Sequence, residues 1–249
     1  MIAKIAIYSA SGGVVISEPD ELANRRAAGS RTYLLLQEEF TNVKIALIGA
    51  TGFVGSKLLA ESLHRGHAVT AIVSDAAKLP KTDALYGLEA DATDPAALAV
   101  AVSGHDLVIS AFNPSLDADG SATQSIIDGV KRSGLTRLLA VGGAGTLELA
   151  SGERLVDQPD FPAQWKEGAL RTARFLDQLR AETELDWVFV SPAAHLLLGE
   201  RTGTYRVGGD RLLTDERGES HISLEDYAVA MLDEAERPSH HRQRFSVAY

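Results

Sequence analysis

From Val43 to the end of the chain, short runs of Val, Ile and Leu alternate with amphipathic stretches. Continuous apolar runs at Val43 to Gly49, Ala68 to Val73, Tyr86 to Ala90, Asp106 to Ala111, Arg137 to Val141 and Asp186 to Ser191 predict strands buried on both faces of a parallel sheet. Between them, Val54, Leu58, Leu59 and Leu63 share one helical face. Trp165, Ala169, Ala173, Leu176 and Leu179 recur at intervals of four, four, three and three, so both stretches predict helices laid on that sheet. A third helix, marked by Ile126, Ile127 and Val130, is expected to stop at Gly134, where a left-handed residue commonly ends a helix. Ser223 with Asp226 three residues on predicts a capped helix start that buries Tyr227, Met231 and Leu232, and Arg244 to Ala248 predicts a last strand. Gly208-Gly209-Asp210, between Tyr205-Arg206-Val207 and Arg211-Leu212-Leu213, reads as the turn of a β-hairpin over Gly203 to Leu213. Residues 1–42 stand outside this rhythm and read as an N-terminal extension, with a strand at Lys4 to Tyr8 and partial helix over Asp20 to Phe40.

Composition narrows the partners. The 249 residues carry 24 Lys and Arg against 34 Asp and Glu, a net charge of −10, which disfavours nucleic acid. No cysteine is present, which removes disulfides, thiolate nucleophiles and cysteine-held metals and fits a reducing, cytoplasmic setting. The longest uncharged apolar stretches, Ile45 to Ser56 and Trp187 to Gly199, fall short of the roughly 18 residues of a spanning helix, so no membrane partner is expected. His240-His241 and the acids Asp157, Asp160 and Glu167 form no ligand spacing, so no metal is expected. The expected partner is a small-molecule substrate, and the pattern leaves the oligomeric state open.

Chemistry enters at Gly49-Ala50-Thr51-Gly52-Phe53-Val54-Gly55, which follows a predicted strand and opens a predicted helix. Gly49 makes a tight turn, Gly52 lets backbone approach a pyrophosphate, and Gly55 lets the helix close on the strand, while the helix start offers unpaired N–H groups. Strand, turn, helix and next strand occupy Val43 to Val73, close to the ~30 residues of a βαβ unit, so the segment predicts dinucleotide binding, with NAD(P)H as cofactor. The second strand ends Val73-Ser74-Asp75, where Asp75 serves either to receive ribose hydroxyls or to cap the following turn, with Lys78 within reach of a phosphate. Gly142, Gly143, Ala144 and Gly145 end a strand with small residues, read either as a tight loop or as room for a flat ring against backbone.

The stretches KIALIGATGFVG, VISAFNP, LLAVGGAGTLE, LVDQPDFPAQWK, GERTGTYRVGGDRLL and ISLEDYAVAMLDE run the length of residues 43–249. In them the chain resembles the NmrA-like, atypical short-chain dehydrogenase/reductase family and its NAD(P)H-flavin reductase group, similar in architecture to biliverdin reductase B. The resemblance implies an α/β fold with a Rossmann-type doubly wound parallel sheet, a single domain preceded by the extension. It implies adenine contacts at Asp91 and Ala92 and a nicotinamide half beside Ser110, Ala111 and Phe112. It also implies an Arg where Ser74 stands, so this chain departs from the NADP-binding pattern.

Carbonyl-reducing and epimerising relatives use Tyr-x-x-x-Lys, in which the Lys lowers the Tyr pKa for proton transfer. No such pair occurs in this sequence: four residues beyond Tyr86, Tyr205 and Tyr227 stand Ala90, Gly209 and Met231. A flavin acceptor does not require that acid, because hydride passes between stacked rings and protons exchange with water. FMN or FAD is therefore the expected substrate, walled by Phe112, Phe161, Trp165, His195 and Pro192. Trp165 also fits the helix stripe as a core residue, and His195 also fits a satisfied loop histidine. The alternative is a dinucleotide-binding redox sensor that signals through a partner without turnover.

Overall fold

The computed structural model describes residues 42–249 in full and the backbone of residues 5–8 and 14–17. By its internal contacts the chain divides into residues 1–40 and 41–249. In the first unit, β1 (Ile5–Tyr8) pairs antiparallel with β2 (Val14–Ser17). The strand expected at Lys4 to Tyr8 thus forms from Ile5, whereas the helix expected over Asp20 to Phe40 lies outside the described residues.

The second unit is a three-layer α/β sandwich. Its sheet contains β3 (Lys44–Ile48), β4 (Ala68–Val73), β5 (Leu85–Glu89), β6 (Leu107–Ser110), β7 (Arg137–Val141), β8 (Asp186–Ser191), β10 (Arg206–Gly208) and β12 (Gln243–Ala248). The spatial order is β5-β4-β3-β6-β7-β8-β12-β10, and all pairings are parallel except that of β10 with β12. The order reverses between β3 and β6, which opens a crevice beyond their carboxyl ends, the place where such sheets bind ligands. Two short strands, β9 (His195–Leu197) and β11 (His221–Ser223), pair parallel outside this sheet.

Strand alternation feeds two cores. Ile45 and Leu47 of β3 join Leu139 and Val141 of β7 on one face, while Ala46 and Ile48 join Leu138 and Ala140 on the other. The first face is covered by α1 (Gly55–His64) and α5 (Leu224–Glu236), through Leu58, Leu59, Tyr227 and Met231. The second is covered by α2 (Pro95–Val102), α3 (Ser121–Arg132) and α4 (Ala163–Ala181), through Leu98, Ile126, Phe175 and Leu176. The fold is thus the doubly wound one, with every predicted strand of the parallel sheet present. The expected stops and caps are also seen: Gly134 follows α3 with φ +80°, and the Ser223 hydroxyl accepts from the Asp226 N–H at 2.9 Å.

One expected element is replaced. Gly203 to Leu213 is not a hairpin: Arg206–Gly208 pairs with β12, with Val207 opposite Val247, and Arg211 bridges to Glu148. The edge of the sheet offers β10 a full ladder in β12, which outcompetes a local turn at Gly208-Gly209. No helix among the described residues is long and apolar enough to cross a membrane.

Candidate functional site

Residues 49–55 turn the chain from β3 into α1. Gly49 adopts φ +80°, and a Cβ there would stand 2.8 Å from the Ala111 carbonyl oxygen, so only glycine lets β3 and β6 end this close together. Gly55 is buried, and a Cβ on it would run into the Gly49 carbonyl oxygen, which is why α1 can start directly on the turn. At Gly52 an added Cβ would meet only the Gly49 oxygen, at 3.3 Å; the rest of its surroundings is open. The three glycines thus have different reasons, and at Gly52 the reason is free space rather than protein packing. Val54 caps α1 without a side-chain bond and packs on the core, and the Ser56 and Lys57 N–H groups donate instead to the Gly52 and Val54 carbonyls at 2.9 and 3.0 Å.

That space belongs to a cleft of about 1040 Å³ along the carboxyl ends of β3 to β6. Of the residues singled out in the sequence, Gly49, Thr51, Gly52, Ser74, Asp91, Ala92, Ala111 and Phe112 line it. Asp91 accepts from the Thr93 N–H and hydroxyl, both at 2.8 Å, and these bonds hold its carboxyl below the usual range while they fix the turn before α2. Glu89, Asn113, Asp117 and Asp119 also line the cleft and escaped the sequence reading. Their signal was position: Glu89 ends β5, and the other three follow β6 at the crossover point.

Other expected cofactor residues are elsewhere. Ser110 is fully buried, because alternation along β6 sends Leu107 and Ile109 to one core and turns Val108 and Ser110 toward the opposite face. Asp75 accepts from the Ala77 N–H at 3.0 Å and pairs with Lys78 at 3.4 Å; it caps its own turn and lies outside the cleft wall. Phe53 is 62% exposed and does not line the cleft either. Gly142 answers to packing, since a Cβ would crowd the Phe189 ring and stand 2.8 Å from the Val190 oxygen.

Gly143 and Ala144 open instead onto a second chamber of about 590 Å³, beside the end of β7. Phe161 and Trp165, from the approach to α4 and its first turn, wall this chamber together with Thr172, Ser115 and His195. Trp165 is 58% exposed, so it is not the core residue its helix stripe suggested; the stripe becomes buried only from Ala173 onward. His195 begins β9, is exposed, and its N–H donates to the Ser220 carbonyl at 2.9 Å. Phe112 faces the larger cleft rather than the chamber, and Pro192 is buried and lines neither.

The two voids adjoin along one segment. Asn113 and Leu116 line the cleft, and Ser115 between them lines the chamber. This segment is pinned from α4, where the Arg171 guanidinium donates to the Ser115 carbonyl at 2.7 Å and that of Arg174 to the Ala118 carbonyl at 2.8 Å. A Cβ at Gly168 would stand 2.9 Å from the Ser115 Cβ, so α4 approaches this wall as closely as its backbone permits.

A family model described as NAD(P)H-binding matches residues 49–238. The uncharacterised protein YwnB of Bacillus subtilis is 38% identical over 211 residues, covering 82% of this chain and 98% of its own. A solved structure from Bacteroides thetaiotaomicron, described as a putative epimerase, is 47% identical with a TM-score of 0.80, covering 84% of this chain and 98% of its own. Another from Streptococcus pneumoniae, described as a putative NADH-flavin reductase, is 36% identical with a TM-score of 0.72, covering 83% and 99%.

Proposed function

The chain belongs to the NAD(P)H-binding family over residues 49–238 and has an oxidoreductase fold, and from that premise we propose that it transfers hydride from NAD(P)H to a flat acceptor, free FMN or FAD. The observation that carries the proposal is the aromatic-walled chamber of about 590 Å³ adjoining the dinucleotide cleft across Asn113 to Leu116. Its walls are those a planar ring requires. Phe161 and Trp165 offer faces, and Gly143 and Ala144 offer close backbone on the sheet side. Likeness to the Streptococcus pneumoniae protein described as a putative NADH-flavin reductase supports the acceptor.

Each part of the chain then has a task. NAD(P)H, when bound, supplies the hydride and its electron pair. The open side of Gly52 and the N-terminus of α1 receive the pyrophosphate, and the ends of β4 and β5 receive the adenosine half. Ala111 and Phe112 border the nicotinamide end of the cleft. Phe161 and Trp165 hold the acceptor flat, so the main contribution to rate is proximity of two rings. The Tyr-x-x-x-Lys pair that sugar epimerisation and carbonyl reduction would draw on is missing from the chain. The lack of cysteine supports a cytoplasmic setting for this reaction.

The acceptor site can be tested without turnover by titrating FMN fluorescence with protein preloaded with NAD⁺. Saturable quenching is expected, and Trp165→Ala should weaken it about tenfold, the loss of about 1.4 kcal/mol of ring contact. Quenching that Trp165→Ala leaves unchanged would place the flavin elsewhere.

A further inference from the structure

We infer that the cleft selects NADH over NADPH and that Glu89 makes the choice; the inference rests on the reading that the cleft holds the dinucleotide. In an open parallel sheet the adenosine ribose lies beyond the strand that follows the glycine turn. An acid there accepts from the ribose hydroxyls, whereas a 2′-phosphate calls for an Arg. That strand is β4, and the cleft wall at its end consists of Val73 and Ser74, joined by Glu89 from the neighbouring β5.

Asp75, the acid that the sequence offered, accepts from the Ala77 N–H and lies outside the cleft wall. Glu89 is placed differently. One oxygen accepts from the Ala76 N–H at 3.0 Å, which ties its carboxylate to the turn after β4 while the residue itself borders the cleft. The other oxygen is left to accept from a ribose hydroxyl. None of the described residues that line the cleft is Lys or Arg; Lys78, on the same turn, is an exposed side chain that pairs with Asp75 at 3.4 Å and lies outside the cleft wall. A 2′-phosphate, with its charge of about −1.5 to −2, would meet the Glu89 carboxylate with no guanidinium to receive it. A ribose hydroxyl meets a charged acceptor instead, and that is the stronger kind of hydrogen bond.

The test is equilibrium binding of NADH and NADPH by nicotinamide fluorescence, with AMP and 2′,5′-ADP as competitors that carry the adenosine half alone. Wild-type protein should bind NADH at least about tenfold more tightly, and AMP should compete better than 2′,5′-ADP. Glu89→Gln keeps an oxygen for the Ala76 N–H and removes the charge, so the gap should narrow. Ser74→Arg should raise affinity for NADPH and 2′,5′-ADP without raising it for NADH. NADPH bound as tightly as NADH, or a ratio unmoved by Glu89→Gln, would overturn the inference and leave the hydride-transfer reading standing. NADH selectivity without flavin reduction would do the reverse. Binding of neither nucleotide would overturn both.

Discussion

Gly52 shows how much one residue's surroundings can say about function. Gly49 and Gly55 are fixed by backbone that a Cβ would strike, whereas Gly52 has only the Gly49 oxygen within reach, at 3.3 Å. Gly52→Val should therefore fold, with an unchanged far-ultraviolet spectrum, yet fill the space where a pyrophosphate approaches the backbone. Affinity for NADH should fall by at least about tenfold, as measured by fluorescence titration. Wild-type affinity in that variant would remove the phosphate site from this turn. The glycine spacing made all three positions legible in the sequence, but not the division of labour among them, which depends on what stands opposite each Cα. Ser110 and Trp165 show the same limit. Periodicity gives the direction of a side chain and not what lies there: Ser110 points into a packed layer, and Trp165 points into an open chamber.

Elements were legible where their signal is local. The six predicted strands of the parallel sheet appear within a residue of their expected ends because each is an apolar run with helices on both sides. β10 was illegible because its partner, β12, lies far along the chain, while the adjacent glycines advertise a turn. α2 was overlooked although it carries a start signal, Asp94 before Pro95. The Asp94 carboxylate accepts from the Ala96 and Ala97 N–H groups at 2.9 and 3.1 Å, and α2 packs on α3, where a Cβ at Gly129 would stand 2.7 Å from the Leu98 Cβ. Removing that cap should cost about 1 kcal/mol in Asp94→Ala, read as a lower denaturant midpoint with an unchanged slope. Because Asp91 to Thr93 run directly into α2, the same variant should loosen the adenosine wall and weaken AMP binding. An unchanged midpoint would show that the cap contributes nothing.

At the scale of the molecule, the last residue is tied to the helix that backs the sheet. Asp226, at the start of α5, accepts from the Tyr249 hydroxyl at 2.6 Å and the Gly203 N–H at 2.7 Å. Burial works against its charge, but these bonds and that from Thr202 outweigh it and hold the carboxyl below its ordinary value of 3.8. A depressed folded value means that the unfolded chain binds the proton more readily. The stabilisation is therefore complete above the unfolded value and lost as pH falls through the folded one. Asp226→Asn should lower stability at neutral pH by about 1 to 3 kcal/mol and flatten its decline below about pH 4, as followed by denaturant titration at a series of pH values. A decline as steep as that of the wild type would assign acid sensitivity to other carboxylates. The central claim concerns the carboxyl ends of the strands, where Asn113 to Leu116 border both cleft and chamber. Its most direct test is steady-state oxidation of NADH with FMN as acceptor, followed by loss of nicotinamide absorbance, with Gly52→Val as the control. The account predicts turnover that saturates in both substrates and is lost in the variant. NADH that binds but is oxidised no faster than without protein would contradict it and favour a dinucleotide sensor or a different acceptor.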